Sequence, residues 1–67
     1  MSTDAILQAL QNLLGRYAEG LPITELQIKL YQNFKLQLSY KAIESTIFRY
    51  PGLFVDSDGK WKLRNQG

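Results

Sequence analysis

Apolar residues recur at the three- and four-residue spacing of amphipathic helices through the first three quarters of the chain. The first stripe predicts a helix over residues 4–18, which Gly20 would end in the left-handed region. Gly15 lies inside this stripe, where glycine disfavours a helix by about 1 kcal/mol relative to alanine. Close approach of another backbone would explain Gly15, and an ordinary glycine near a helix end is the alternative.

A second helix is predicted to open at Thr24, with Gln27 completing a capping box. Apolar residues at four-residue steps form its inward face: Leu26, Leu30 and Phe34. Ile28 lies about 160° from the centre of that face, by the 100° step of a helix. We expect Ile28 either in solvent or in a protein contact. The short extended segment at residues 21–23 is expected to add an edge strand to a sheet.

A third helix is predicted over residues 40–50, with Ser39 as its N-cap and Pro51-Gly52 ending it. Its buried stripe comprises Ile43, Ile47 and Tyr50. The short connection from the second helix is typical of a helix-turn-helix, so the third helix takes the recognition position. Its outward face comprises Lys41, Ser45, Phe48 and Arg49.

Residues 53–64 predict a β-hairpin around an Asp58-Gly59 turn, because both residues tolerate positive φ. In the second strand, a period of two separates Trp61 and Leu63 from three cations, Lys60, Lys62 and Arg64. A lone hairpin is barely stable in water, so we expect Trp61 to pack its indole against the helices. Three helices followed by a basic hairpin predict an α+β fold, a winged helix-turn-helix whose wing is the hairpin.

Composition restricts the class of protein. With 67 residues, the chain is expected to form a single domain over residues 1–67, with a folded core at about residues 4–64. It has no cysteine and no apolar run that approaches the roughly 20 residues of a membrane span. We therefore expect an intracellular protein, cytoplasmic or nuclear, with no membrane association.

The residue types of the chain give little support for a catalytic function. The chain has no histidine, which removes the commonest acid–base catalyst and the commonest metal ligand. The nearest pair of carboxylates, Asp56 and Asp58, lies on a turn that should be open to water. We expect no enzymatic activity, no cofactor and no metal.

Charge is unevenly distributed along the chain. Residues 1–34 carry two cations and three acids, whereas residues 35–67 carry six cations and three acids. A basic half can mark a surface that faces a polyanion, although ordinary solvation explains so small an excess equally well. The candidate nucleic-acid-binding residues are Lys41, Ser45, Phe48, Arg49, Lys60, Lys62 and Arg64. We expect the five cations among them to form one continuous surface that contacts phosphates, although the strand cations could instead protect an exposed sheet edge.

Phe48 is the unusual member of this set, and three interpretations remain open for it. An exposed aromatic on a basic face can stack on an unpaired base, as in single-stranded RNA binding. It can equally anchor a protein partner, together with Ile28. The third interpretation is that the wing folds over Phe48 and buries it.

The chain carries LPITEL at residues 21–26, YQNF at 31–34, LQL at 36–38 and YPGLFV at 50–55. In these segments it resembles the LOTUS (OST-type helix-turn-helix) family, specifically its minimal kind. Residues 43–63 are also similar to HARE-type winged helices. The LOTUS resemblance implies RNA binding, including G-rich and quadruplex RNA, whereas extended LOTUS domains bind a DEAD-box helicase. The HARE resemblance implies a link to DNA.

Taken together, the residues and the resemblance predict a non-catalytic winged helix that binds nucleic acid, with RNA somewhat favoured over duplex DNA. The alternative is a protein-interaction winged helix, an adaptor that recruits a helicase or another complex through its second or third helix.

Overall fold

The structure, a computed structural model, describes the backbone of residues 3–64 and the side chains of residues 5–64. It is a small α+β fold in which three helices precede a two-stranded antiparallel hairpin. In chain order the elements are α1 Thr3–Arg16, α2 Ile23–Phe34, α3 Tyr40–Arg49, β1 Phe54–Ser57 and β2 Lys60–Leu63. The predicted elements and their order are confirmed, with small displacements of the helix ends. None of the described helices is long and apolar enough to cross a membrane.

The core lies between the three helices and one face of the hairpin. Its largest fully buried side chains are Leu10, Leu13, Leu14, Leu26, Leu30, Ile43, Ile47 and Phe54. The inward stripes that the helical spacing predicts are therefore largely confirmed, but Phe34 and Tyr50 are only partly buried against this core. The buried aromatic residue of the hairpin is Phe54, at 2% exposure, whereas Trp61 is only partly buried at the margin of the core. The predicted packing of Trp61 against the helices is confirmed, although its indole is only partly buried.

The hairpin turns at Asp58 and Gly59, which have φ of 54° and 81°. This confirms the predicted turn, since tight hairpins need positive φ at both central residues. Pairing of Phe54 with Leu63 and of Asp56 with Trp61 places these four side chains on one face of the hairpin. Phe54 and Trp61 lie against the core, so this is the face that packs on the helices.

A backbone bridge joins the hairpin to the segment before α2. Leu21 and Trp61 exchange hydrogen bonds in both directions, at 2.9 and 2.8 Å. The predicted edge strand is therefore reduced to Leu21, because Ile23 already begins α2. Gly20 has φ of 89°, and a Cβ added there would lie 2.7 Å from the carbonyl oxygen of Trp61. Gly20 does adopt the left-handed region, but it follows a turn after α1 has ended at Arg16.

One of the two interpretations of Gly15 and the predicted cap of α2 are wrong. A Cβ added at Gly15 would meet nothing outside its own helix within 4 Å, so close approach of another backbone does not explain this residue, which is an ordinary glycine near the end of α1. Thr24 does not cap α2, because the helix begins at Ile23 with Pro22 at the N-cap and has no side-chain cap. Gln27 instead donates from Nε2 to the carbonyl oxygen of Leu38 at 2.9 Å, which ties α2 to the α2–α3 connection. Ser39 is confirmed as the N-cap of α3, since its hydroxyl accepts from the amide of Ala42 at 3.1 Å.

Candidate binding site between the third helix and the hairpin

Phe48 is exposed on α3, and its ring contacts the indole of Trp61 in the hairpin. The two ring centroids lie 5.9 Å apart with an angle of 75° between the ring planes, a T-shaped pair. Phe48 is nonetheless 60% exposed. The interpretation in which the wing buries Phe48 is therefore wrong. Such edge-to-face pairs add about 0.5–1.5 kcal/mol beyond area burial, so Trp61 fixes a ring that remains open to solvent.

The same flank of α3 carries two more exposed or half-exposed residues. Tyr40, Glu44 and Phe48 follow one another at four-residue steps, which stacks them along one side of the helix. Together with Asp56 and Trp61 of the hairpin they line a depression of about 330 Å³. Both charged residues of this depression, Glu44 and Asp56, are carboxylates. The remaining lining residues come from the start of α2 and the hairpin turn: Pro22, Ile23, Thr24 and Gly59.

A second depression of about 250 Å³ also contains Phe48, Trp61 and Asp56 in its lining. Its other lining residues are mostly apolar: Ile47, Pro51, Phe54, Val55 and Arg64. We call the two depressions together the α3–hairpin cleft. The first depression, which contains Glu44 and Asp56, is the acidic part of this cleft, and the second depression is its apolar part. Both parts contain the Phe48–Trp61 pair.

Arg64, one of the predicted phosphate ligands, is engaged with the protein backbone. Its Nη2 donates to the carbonyl oxygen of Pro51 at 2.9 Å and to that of Phe54 at 3.3 Å, and its Nε donates to Pro51 at 3.3 Å. The guanidinium thus holds the α3–β1 turn against the end of β2. This contact gives Arg64 a structural role that the sequence did not indicate.

Lys60 and Lys62 alternate with Trp61 along β2, so they lie on the face of the hairpin opposite Trp61. Lys60 lines a different depression, next to the α1–α2 connection, which also contains Arg16, Glu19 and Glu25. The two strand lysines are therefore directed away from the α3–hairpin cleft.

The two cations of α3, Lys41 and Arg49, lie on one exposed stripe with Ser45 between them, at four-residue steps. Lys41 and Ser45 are exposed on the same outward face as Phe48. Arg49 lies about 100° further round the helix than Phe48, on the side away from Tyr40 and Glu44. The five predicted cations are thus divided between α3, the far face of the hairpin and a backbone contact, and the expected continuous surface is not formed.

Ile28 is exposed, as its position on the helical wheel predicts, at 51%. It lines a separate depression of about 400 Å³ with Tyr31 and Leu38, surrounded by Gln27, Gln32 and Gln37. Tyr31 is 52% exposed, and the Nζ atom of Lys35 lies 5.7 Å from the centroid of its ring. Ile28 and Phe48 therefore belong to two distinct surfaces.

The site residues predicted from the sequence did not include four residues that line the cleft: Tyr40, Glu44, Asp56 and Trp61. Tyr40 and Glu44 could have been found, because they lie two turns and one turn before Phe48 on one stripe. Asp56 follows from the strand register, which pairs it with Trp61. Within the part of the chain that the structure describes, no group of three or more acidic, histidine or cysteine side chains is placed to hold a metal ion.

Comparisons of the chain with family models, with curated proteins and with solved structures give no match. The LOTUS and HARE resemblances therefore stay predictions from the sequence. The candidate site is supported by the geometry of its residues alone.

Proposed function

We propose that this chain is a non-catalytic winged-helix module that binds a segment of a protein partner in the α3–hairpin cleft. The observation that carries the proposal is the ring of Phe48, 60% exposed and fixed against Trp61 at the centre of the cleft. Aromatic side chains that are already ordered lose little entropy on binding, and they supply a large share of the energy at protein interfaces.

The winged-helix assignment is supported by the connectivity of the fold. The hairpin directly follows α3, and Leu21 extends it on the outer side of β2 as a third, single-residue strand. In this arrangement the hairpin is the wing, and α3 holds the recognition position beside it.

Charge favours a protein partner over a nucleic acid at this site. Nucleic-acid affinity comes largely from lysine and arginine at phosphates. The acidic part of the cleft has Glu44 and Asp56 as its charged residues, and both would repel a phosphate. Lys60 and Lys62, which would compensate for them, lie on the other face of the hairpin.

Nucleic-acid binding is the second candidate, with unpaired RNA favoured over duplex DNA. It is favoured by one observation, that Lys41, Ser45 and Phe48 share the outward face of α3. Phe48 could stack on an unpaired base while Lys41 contacts a phosphate. A duplex, whose bases are already stacked, would gain less from Phe48.

Selection of random displayed peptides on the immobilised full chain tests the proposal. Peptides that are recovered would be synthesised and titrated against the parent, Phe48→Ala and Ile28→Ala, with circular dichroism confirming that each variant is folded. We expect Phe48→Ala to weaken binding by about tenfold or more, as for an interface anchor, and Ile28→Ala to leave it unchanged. Failure to recover a peptide that depends on Phe48 contradicts the proposal.

The nucleic-acid candidate is tested by titrating single-stranded RNA, quadruplex RNA and duplex DNA at two salt concentrations. Phosphate binding should weaken with salt, with slopes of log K against log salt near −0.7 to −0.9 per phosphate contact. If RNA binds with such a slope and Phe48→Ala removes about 1–3 kcal/mol of that binding, nucleic acid replaces protein as the ligand of this surface.

A further inference from the structure

We infer that the acidic part of the α3–hairpin cleft takes a positively charged side chain, with arginine preferred to lysine, from the partner segment. The cation would lie against the rings of Tyr40, Phe48 and Trp61, between the carboxylates of Glu44 and Asp56. This inference rests on the proposed function and adds the chemistry of the residue that is recognised.

The aromatic rings form the walls of the cation site. Phe48 and Trp61 meet at 75°, so their planes form a corner and do not stack into a single flat surface. Tyr40, which is 49% exposed, lines the same depression two turns earlier on α3. The faces of aromatic rings attract cations, by about 0.5–1 kcal/mol at exposed sites.

The carboxylates make this corner selective for positive charge. Glu44 precedes Phe48 by one turn of α3, and Asp56 is the cross-strand partner of Trp61, so acids flank the ring pair from both elements. Asp56 Oδ1 accepts a hydrogen bond from the amide of Gly59 at 3.2 Å, which holds this carboxylate at the hairpin turn. The second oxygen of Asp56 keeps its capacity to accept another donor.

Arginine fits this arrangement better than lysine. A planar guanidinium can stack on an aromatic face and donate to carboxylates from its edge at the same time. The more compact ammonium of lysine is strongly hydrated and gains less from the rings. The neighbouring part of the cleft is lined mainly by apolar residues, such as Ile47 and Val55, and would hold an apolar side chain next to the basic residue. Arg64 also lines this part, but its guanidinium donates to the carbonyls of Pro51 and Phe54.

Two short peptides test the inference on the isotope-labelled full chain by nuclear magnetic resonance. The first is acetyl-Gly-Leu-Arg-Leu-Gly-amide, and the second replaces arginine by citrulline, which has nearly the same shape and no charge. The chain has one tryptophan, so the indole N–H of Trp61 gives one unambiguous signal inside the cleft. We expect the arginine peptide to shift this signal and the amide of Phe48, and to bind about fivefold more tightly than the citrulline peptide.

Two double variants that remove the same charge from different depressions test whether the preference for arginine arises at the cleft. Glu44→Gln with Asp56→Asn should reduce the arginine peptide to the affinity of the citrulline peptide. Glu19→Gln with Glu25→Gln removes the same charge from the depression of Lys60 and should leave the preference for arginine intact. The inference is overturned if the parent chain binds the two peptides equally, or if the Trp61 signal does not shift up to millimolar peptide. It is also overturned if both double variants lose the same affinity for the arginine peptide.

The outcomes separate this inference from the proposed function. If selected peptides depend on Phe48 but contain no basic residue, the cleft binds protein and the inference about charge is wrong. If no selected peptide depends on Phe48 and the arginine peptide leaves Trp61 unshifted, both are wrong.

Discussion

Leu21 and Trp61 exchange two backbone hydrogen bonds, from the amide of Leu21 at 2.9 Å and from the amide of Trp61 at 2.8 Å. This pair fixes β2 to the residue that precedes Pro22 and α2. The indole of Trp61 is thereby held beside Phe48 of α3. The shape of the α3–hairpin cleft thus depends on a backbone bridge that lies outside the helices.

The bridge makes Gly20 the most sensitive glycine in the described part of the chain. Gly20→Ala forces a side chain into positive φ and against the carbonyl of Trp61, so we expect a loss of at least about 2 kcal/mol of unfolding free energy. Gly15→Ala is the matched control. It should raise the unfolding free energy by about 0.5–1 kcal/mol, because Gly15 is helical and a Cβ there would meet open space. Thermal unfolding checks both. Equal effects of the two substitutions would contradict the close approach of Gly20 to Trp61.

Phe54, and not Trp61, should be the aromatic residue on which the stability of the hairpin depends most. Phe54→Ala is expected to lose about 3–5 kcal/mol, since the ring is 2% exposed and leaves a cavity in the core. A domain of this size has little more stability than that, so the variant should be largely unfolded. Trp61→Ala should cost less, because the indole is only partly buried. Denaturant titration measures the unfolding free energy of both variants. A larger loss for Trp61→Ala than for Phe54→Ala would contradict this order.

Arg64 should contribute to folding more than to ligand binding. Arg64→Ala leaves the carbonyls of Pro51 and Phe54 without their guanidinium donor, and we expect a loss of about 1 kcal/mol, a low value because the site is exposed. Lys41→Ala, an exposed cation of α3, should change stability by less than about 0.5 kcal/mol. Chemical unfolding measures both. If Arg64→Ala keeps full stability but loses affinity for RNA, Arg64 is a phosphate ligand after all.

The periodicity of the sequence was sufficient to predict the three helices, the hairpin and most of the core. A helical wheel places Leu10, Leu26 and Ile43 on the apolar faces of their helices. The Asp58-Gly59 pair strongly favours a tight hairpin turn. The start of α2 was predicted incorrectly, since Thr24 and Gln27 match a capping box that the chain does not form. Gln27 donates instead to the carbonyl of Leu38, eleven residues further along the chain, which only the tertiary structure brings within reach.

The site was predicted less well than the fold, because it depends on contacts between elements. Exposure of Phe48 and Ile28 follows from the helical wheel, and the structure agrees. The engagement of Arg64 with the turn carbonyls depends on a contact between residues 13 positions apart, which no local pattern contains. Counting cations along the chain therefore overestimated the basic surface.

We propose that the α3–hairpin cleft binds a positively charged protein segment and not nucleic acid. This is tested by following the Trp61 indole signal while the labelled full chain is titrated separately with the arginine peptide and with single-stranded RNA. We expect the peptide to move the Trp61 and Phe48 signals, and RNA to leave them in place at low salt. Movement of these signals by RNA, reversed by added salt, with no response to the peptide, would contradict the claim.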